Sequence, residues 1–330
     1  MPRRWNWDFE DERKPPSVPA PPEPPPSAPT PAPVGGAATA ATAGHARRLQ
    51  VRRRRGAAVV LVVVLAIVLA VAMSGSHHTP AARSAGHGSS RVARRLPPSE
   101  PENDQRAAVS SVLGYTPFAR EGGGHSRDIA LTFDDGPGPY TPKLLDVLER
   151  EHVHATFFVV GKMLEYFAAS AVREIEDGDV IGDHTQSHPE LARLSAHDQR
   201  EELFEQIARV EILGGRRPDL FRPPYGSFNA TTLRQLHSLH LLMVLWSVDT
   251  GDYAQPGVAT IVERALAGAH GGAIILMHDA GGVRTQTIEA LPRIIAQLRA
   301  RGFHLVTVPA LLLADPPPAG QQIPPNLSGG

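Results

Sequence analysis

Short apolar runs alternate with longer amphipathic stretches between residues 106 and 315. The apolar runs are rich in β-branched or aromatic residues and predict seven strands: Ile129–Phe133, Thr156–Val160, Val180–Gly182, Leu220–Arg222, Met243–Val248, Ile274–Met277 and His304–Val306. Helices are predicted between them, at residues 141–150, 163–177, 197–213, 229–240, 257–269 and 285–301. This alternation predicts a mostly parallel sheet. Seven repeats in about 200 residues predict an α/β fold that is a distorted, incomplete (β/α)7 barrel and not a complete eightfold one.

The segments on either side of this globular part, residues 106–315, have a different composition. Eleven of the nineteen residues from Pro15 to Pro33 are proline, which favours an extended polyproline conformation over a packed core. We therefore predict a disordered, proline-rich tail over residues 1–55, which ends in a cluster of six arginines. Residues 75–105 are small, polar and proline-containing and predict a flexible linker. Residues 316–330 return to proline and glycine and predict a second disordered tail.

The uncharged apolar stretch Ala57–Met73 directly follows the arginine cluster. As a helix, seventeen residues rise roughly 25 Å against a hydrocarbon core of about 30 Å, the short limit for spanning a bilayer. Because flanking arginines stay on the cytoplasmic side, we predict a single-pass signal anchor over residues 56–74, with a cytoplasmic N-terminus and the globular domain outside the cell membrane. Two alternatives remain: a buried core helix, and a signal peptide cleaved near Ala70–Ala72, which would give a secreted protein.

Composition and charge exclude several classes of site. The chain has no cysteine, so disulfides, thiolate metal sites and a cysteine nucleophile are excluded. Its 33 basic and 34 acidic residues give a formal net charge of -1, and hence no field over the whole molecule that would attract nucleic acid. The globular part also has no basic stripe with interleaved aromatic residues, which argues against nucleic acid as a partner and against a metal-dependent nuclease.

Polar residues that are unusual in a protein core fall at the C-terminal ends of the predicted strands. They are Asp134, Asp135, His184, His188, Arg222, Tyr225, Trp246, Asp249, Asp252 and His278. Barrels and open α/β sheets assemble their active sites at this edge, so we expect these side chains to converge. Two histidines four residues apart, with a carboxylate as third ligand, suit a divalent metal and leave a coordination position for water.

Five short motifs, in this order, resemble those of the polysaccharide deacetylases with a NodB homology domain, a family of metal-dependent carbohydrate esterases. The motifs are Thr132–Pro137 (TFDDGP), His184–His188 (HTQSH), Arg222–Tyr225 (RPPY), Asp249–Tyr253 (DTGDY) and Leu276–His278 (LMH). The fourth departs from the family pattern DxxDW, because Tyr253 stands where the family has tryptophan. The resemblance is confined to the globular part.

The resemblance implies a metal centre and two proton-transfer groups. Asp135, His184 and His188 would hold the divalent metal, which we expect to be Zn²⁺, although Co²⁺ or Ni²⁺ would suit the same ligands. Asp134 would be the general base that takes a proton from water, and His278 would protonate the departing amine.

Four further residues receive supporting roles from the same resemblance. Arg222 would pair with the base, and Asp249 would orient the imidazole of the general acid. The backbone N–H of Tyr225 would stabilise the oxyanion. Trp246 would form the wall that receives the acetyl methyl group, with a place in the core as its alternative. For Asp252, capping of the following loop and a role in the site are equal alternatives.

The implied function is hydrolysis of N-acetyl groups on a glycan, with peptidoglycan as the expected substrate because the predicted topology places the domain beside it. Chitin-like oligomers, exopolysaccharide and O-acetylated xylan are alternative substrates. An alternative of another class is an inactive wall-binding module, which we expect to have lost a metal ligand or the base, whereas this sequence retains all of them.

Overall fold

The computed structural model describes residues 100–323, and in this range the strands form one parallel sheet. The strands are β1 (Phe118–Ala119), β2 (Asp128–Asp134), β3 (Thr156–Val159), β4 (Val180–Asp183), β5 (Leu220–Phe221), β6 (Leu242–Val244), β7 (Val248–Asp249), β8 (Ile274–His278) and β9 (His304–Val306). The order is β1-β6-β5-β4-β3-β2-β8-β7, with β9 beside the start of β2. Within the described residues β1 and β7 do not pair, so the curled sheet stays open, and the predicted incomplete barrel is confirmed.

Helices follow most of the strands and cover the sheet. They are α1 (Glu100–Leu113), α2 (Thr141–Glu151), α3 (Gly161–Tyr166), α4 (Ala168–Glu176), α5 (Ala196–Ile212), α6 (Ala230–Ser238), α7 (Val258–Ala267), α8 (Thr285–Ala300) and α9 (Val308–Ala314). The local sequence explains where several of these helices begin. The Ser195 hydroxyl accepts the Asp198 N–H at the start of α5, and Asn229 forms a capping box with Thr232 at the start of α6.

The largest part of the core lies between the sheet and helices α2, α7 and α8. Phe133 of β2 and Phe157 of β3 stack there with ring centroids 5.3 Å apart, and Leu144 and Ile294 of the covering helices are fully buried. Burial on both faces explains why β2 is an almost continuous apolar run and not an alternating one.

The predicted strand Met243–Val248 is divided in the structure into β6 and β7. The physical reason is a contact with a residue far away in the sequence. Arg222 donates hydrogen bonds to the carbonyl oxygens of Val244 (3.1 Å) and Leu245 (3.0 Å) at the end of β6. The predicted helix 163–177 is also two helices, because Phe167 leaves the helical region with φ −125° and ψ 38°.

The boundaries of the globular part differ from the prediction at both ends. Helix α1 begins at Glu100, so the structure corrects the predicted linker end at residue 105. This helix packs on α9, which the sequence analysis missed because seven residues are too few for a clear helical period. At the other end, residues 316–323 lie on the domain, which corrects the predicted start of the second tail at residue 316. The Tyr115 hydroxyl donates to the carbonyl of Pro317 at 2.7 Å, and Gln321 accepts the Arg120 N–H at 2.8 Å.

The predicted tail over residues 1–55, the signal anchor over 56–74 and the linker up to residue 99 lie outside the described residues and stay predictions. Among residues 100–323, none of the helices combines the length and apolar character that crossing a bilayer requires.

Candidate metal centre and active site

The polar residues at the strand ends converge because neighbouring strands end in register. Asp134, the last residue of β2, pairs with His278, the last residue of β8. Asp183 of β4 pairs with Phe221 of β5, which places the next residues, His184 and Arg222, side by side. The expected convergence at the carboxyl edge of the sheet is therefore present in the structure.

Asp135, His184 and His188 form a buried cluster whose ligand atoms all lie within 4.8 Å of one another. The Asp135 Oδ1 atom is 3.0 Å from His188 Nε2 and 3.5 Å from His184 Nε2. The Nδ1 atom of His184 lies 2.7 Å from the carbonyl oxygen of Arg222. Since a carbonyl oxygen only accepts, Nδ1 carries the proton, and the Nε2 lone pair faces the cluster. One carboxylate and two imidazoles are a donor set that fits a divalent metal such as zinc.

The protonation states in this cluster suit metal binding. Burial by itself raises the pKa of Asp135, but the charge of His188, hydrogen bonds with His184 and His188 and a smaller effect of the His278 charge outweigh this and hold the pKa well below its usual range. Burial lowers the pKa of His188, and the neighbouring Asp135 offsets only part of that effect. At neutral pH the cluster therefore holds an ionised carboxylate beside a neutral His188 imidazole, the forms that bind a metal.

Asp134 is held beside the cluster by the fully buried Arg222. The guanidinium Nη1 donates to Asp134 Oδ1 at 2.7 Å and to the Thr132 hydroxyl at 2.8 Å. The second oxygen of Asp134, Oδ2, lies 3.9 Å from His184 Nε2, so it faces the metal cluster. One oxygen is thus fixed by a charge-assisted hydrogen bond and the other remains available to accept a proton.

The Arg222 guanidinium is also packed between two aromatic rings. It lies 4.1 Å from the ring centroid of Phe158 and 5.7 Å from that of Trp246, which is partly buried. Together with the two carbonyl contacts at the end of β6, these rings hold Arg222 rigidly. The assignment of Trp246 to the acetyl pocket stays a prediction.

The partner of His278 is Asp252 and not Asp249. The Nδ1 atom of His278 lies 2.8 Å from Asp252 Oδ1, and its backbone N–H donates to Asp252 Oδ2, also at 2.8 Å. Asp249 is exposed at the end of β7 and accepts the Gly251 N–H at 2.8 Å. Gly251 takes a positive φ of 62°, which turns the chain back so that Asp252 reaches His278. The predicted role of Asp249 is therefore wrong, and the DxxD spacing could not show which carboxylate is correct.

The Asp252 contact makes His278 more basic. Burial lowers the pKa of this imidazole, but the Asp252 charge and hydrogen bond outweigh the burial and raise the pKa to about 9. The Thr287 hydroxyl donates to Asp252 at 2.7 Å and helps to keep it ionised. Because Nδ1 is engaged by Asp252, Nε2 is the nitrogen that can deliver a proton.

Four residues of the site have left-handed backbone conformations, which cost of the order of 1 kcal/mol each for residues other than glycine. They are Asp135 (φ 75°), Thr185 (φ 68°), His188 (φ 60°) and Tyr225 (φ 58°). Such strain gathers at functional sites, where the surrounding structure enforces it.

Two half-exposed tyrosines flank the centre. The Tyr225 ring lies edge-on to the His188 ring at 4.6 Å, and the Tyr253 ring lies edge-on to the His278 ring at 5.5 Å. Burial, with a smaller effect of Asp135, raises the pKa of Tyr225 to about 12, so its hydroxyl stays neutral at physiological pH. Partly exposed aromatic ring surface thus lies beside His188 and beside His278.

The comparisons with known proteins agree on one protein family. Residues 121–244 match a family model described as polysaccharide deacetylase. A peptidoglycan-N-acetylglucosamine deacetylase of Bacillus cereus is 37% identical over 196 residues, which are 59% of this chain and 71% of that protein. A chitooligosaccharide deacetylase of Rhizobium leguminosarum bv. trifolii is 36% identical over 224 residues, or 62% of this chain and 99% of that protein.

A solved structure has the same fold. The crystal structure of the Bc1960 peptidoglycan N-acetylglucosamine deacetylase is 36% identical and matches with a TM-score of 0.59. The match covers 61% of this chain and 95% of the solved chain. The similarity therefore extends over nearly the whole of the solved chain.

Proposed function

Because this chain belongs to the polysaccharide deacetylase family, we propose that it removes N-acetyl groups from peptidoglycan by metal-assisted hydrolysis. The observation that carries the proposal is the arrangement at the carboxyl edge of the sheet. There the buried cluster of Asp135, His184 and His188 lies beside Asp134, a carboxylate held by Arg222, and His278 is the cross-strand neighbour of Asp134.

Asp135, His184 and His188 are the residues that would hold the divalent ion, with Zn²⁺ as the expected metal. When bound, the ion supplies positive charge that polarises the acetyl carbonyl and acidifies water. Asp134 takes the proton of the attacking water through Oδ2, while Arg222 fixes the orientation of the carboxylate. The backbone N–H of Tyr225 donates to the oxygen that becomes negative as the carbonyl carbon is attacked.

His278 completes the reaction as the general acid. With a pKa of about 9 its imidazole is protonated at neutral pH, and it passes the Nε2 proton to the amide nitrogen as the carbon–nitrogen bond breaks. Asp252 keeps the imidazole in this orientation and charge state. The products are acetate and a free amino sugar, so one water molecule is consumed for each acetyl group removed.

Peptidoglycan is the favoured substrate for two reasons. Two similar proteins from Bacillus cereus are named peptidoglycan-N-acetylglucosamine deacetylases. The predicted signal anchor would also place the domain outside the membrane, next to this polymer. The similarity to a chitooligosaccharide deacetylase makes chitin oligomers the second candidate.

The experiment is acetate release by the purified full-length protein from peptidoglycan, chitin oligomers and acetylxylan. Each substrate is tested after chelation and after addition of Zn²⁺, Co²⁺ or Ni²⁺, and Asp134→Asn serves as the inactive control. We expect chelator-sensitive release, greatest from peptidoglycan. Greatest release from chitin oligomers or acetylxylan would reassign the substrate, and no release from any metal-loaded sample would refute the function.

We also propose that residues 56–74 anchor the protein in the cell membrane, with the N-terminus in the cytoplasm. Supporting this are the six arginines directly before the apolar stretch. Full-length protein should fractionate with membranes, and protease added outside wall-stripped cells should release the catalytic domain while the proline-rich tail stays protected. A mature protein found free in the medium and beginning near Met73 would favour the cleaved signal peptide.

A further inference from the structure

The turn that carries the two metal-binding histidines is held from outside by Glu202, a residue of helix α5. The backbone N–H of Ser187 donates to Glu202 Oε2 at 2.7 Å, and the Ser187 hydroxyl donates to Oε1 at 2.5 Å. The backbone carbonyl of Glu202 accepts the N–H of Gln186 at 2.9 Å. A single residue of the helix that follows this turn thus makes three hydrogen bonds to the segment between His184 and His188.

This turn needs support because its backbone is strained. Thr185 and His188 both have left-handed conformations, with φ of 68° and 60°. Two of the four backbone N–H groups from residue 185 to 188 are bound locally: Thr185 donates to Asp183 Oδ1 at 2.7 Å, and His188 donates to the Thr185 hydroxyl at 2.9 Å. The other two N–H groups, those of Gln186 and Ser187, are bound by Glu202.

Helix α5 is in turn fixed to the sheet by the buried Gln206, one helical turn after the partly buried Glu202. The Gln206 amide nitrogen donates to the carbonyl oxygens of Val159 (3.1 Å) at the end of β3 and Gly182 (3.5 Å) in β4. His184 follows β4 directly, and its own N–H donates to the same Val159 oxygen at 3.1 Å. The helix therefore cannot slide along the sheet without breaking these bonds, and Glu202 holds the turn relative to the strand that precedes His184.

We propose that Glu202 is a positioning residue for the metal centre. Its carboxylate accepts the Ser187 N–H and hydroxyl together, keeps the strained turn closed and thereby sets the distances of His184 and His188 from Asp135. This inference rests on the proposed function, since it concerns the same metal site, but it assigns a role to a helix residue that lies outside all five motifs.

The chemistry of the carboxylate makes the proposal testable by graded variants. Glu202→Ala removes both side-chain bonds. Glu202→Gln can still accept the Ser187 N–H through its oxygen and donate to the Ser187 hydroxyl through its nitrogen, so it should partly preserve the turn. Ser187→Ala removes the hydroxyl bond and leaves the backbone bond in place. Glu201→Ala is the matched control, because Glu201 is the preceding residue of the same helix and is exposed.

The test measures the dissociation constant for Zn²⁺ of each full-length variant by competition with a chromophoric chelator, together with the melting temperature of the metal-free protein. Residues that orient metal ligands typically contribute about 10- to 100-fold to metal affinity. We expect Glu202→Ala to weaken zinc binding at least about tenfold, Glu202→Gln and Ser187→Ala to weaken it less, and Glu201→Ala to leave it unchanged. Excess Zn²⁺ should restore acetate release to Glu202→Gln.

The outcomes separate this inference from the proposed function. If the wild type binds Zn²⁺ and the dissociation constants of both Glu202 variants are within twofold of the wild-type value, the positioning role is overturned and the proposed function stands. A role confined to general stability would lower the melting temperature of the metal-free protein while zinc affinity stays unchanged, which also overturns the inference. If Glu202→Ala does not fold, the zinc affinities of Glu202→Gln and Ser187→Ala decide whether the positioning role stands. A wild type that binds none of Zn²⁺, Co²⁺ and Ni²⁺ would overturn both proposals.

Discussion

Two carboxylates at the carboxyl end of the parallel sheet, Asp135 and Asp252, and two at its amino end, Asp179 and Asp219, have pKa values shifted in opposite directions. At the carboxyl end, Asp135 and Asp252 each lie against a histidine, and these contacts hold their pKa values below the usual range despite burial. At the amino end, Asp179 and Asp219 line a cavity of about 770 Å³. Burial raises the pKa of both, that of Asp179 to about 7, and nearby arginines offset only part of this effect.

The comparison shows that cavity size does not identify the active site of this protein. The charged groups around the amino-end cavity largely bind one another: Arg106 pairs with Asp219 at 2.6 Å, and Arg216 pairs with Glu102. At the carboxyl end, Asp134 Oδ2 and the histidine Nε2 atoms instead point into a common space. The convergence of a carboxylate and two imidazoles on one space distinguishes the functional end.

The largest effect should come from removing a metal ligand at the carboxyl end. His188→Ala leaves one histidine and one carboxylate, so the protein should lose most of its bound zinc. Acetate release should fall at least about 10³-fold, equivalent to about 4 kcal/mol. Zinc content per protein and acetate release are the measurements. A variant with the wild-type zinc content would contradict the ligand assignment.

A smaller but still large effect is expected when the base is removed and the metal is kept. Asp134→Asn still offers an oxygen to Arg222 but no longer accepts a proton, so turnover should fall about 10²- to 10⁴-fold. Zinc content should remain that of the wild type. An empty metal site, or turnover close to normal, would show that Asp134 is not the base.

The third prediction concerns pH dependence and separates Asp252 from Asp249. The Asp252 anion favours the protonated imidazole, so Asp252→Asn should lower the pKa of His278 from about 9 toward the ordinary value of about 6.5. Because the general acid must be protonated, the alkaline limb of the kcat/KM profile should move to lower pH. Asp249→Asn is the control and should leave the limb in place. A shift with Asp249→Asn alone would reverse the assignment.

The smallest effect is expected at the amino end and in stability alone. The pKa of Asp179 is higher in the folded state, at about 7, than in the unfolded chain, at about 3.8. Its ionisation therefore favours the unfolded chain, and this destabilisation grows as the pH rises from about 4 to 7. Asp179→Asn keeps an acceptor for the Ala155 N–H and cannot ionise.

Above pH 7 the free energy of unfolding of Asp179→Asn should exceed that of the wild type by about 1 kcal/mol, with unchanged acetate release. Urea unfolding at pH 5 and pH 8 measures the difference, which should be larger at pH 8. Loss of activity in this variant would mean that the two ends of the sheet are coupled.

Local patterns in the sequence were sufficient for most of the strands and for the three residues that form the buried metal-binding candidate cluster. Apolar runs that are buried on both faces, such as β2, are recognisable without knowing their neighbours. Asp135, His184 and His188 lie at the ends of such runs, and the common direction of parallel strands brings their ends to one edge.

Tertiary structure alone decided the contacts between elements that no local pattern connects. The sequence analysis assigned the orientation of His278 to Asp249, whereas the turn at Gly251 brings Asp252, from the same motif, to His278. The predicted strand Met243–Val248 is interrupted because the Arg222 guanidinium, which follows β5, donates hydrogen bonds to the carbonyl oxygens of Val244 and Leu245.

Glu202 is a further residue whose role only the tertiary structure decided. It stands in an ordinary amphipathic helix and acquires its role because Gln206 docks that helix beside the histidine turn. Periodicity and strand ends depend on residues close in the chain, so the sequence by itself determined them. Hydrogen bonds between distant elements depend on how those elements pack, and only the folded structure decides that.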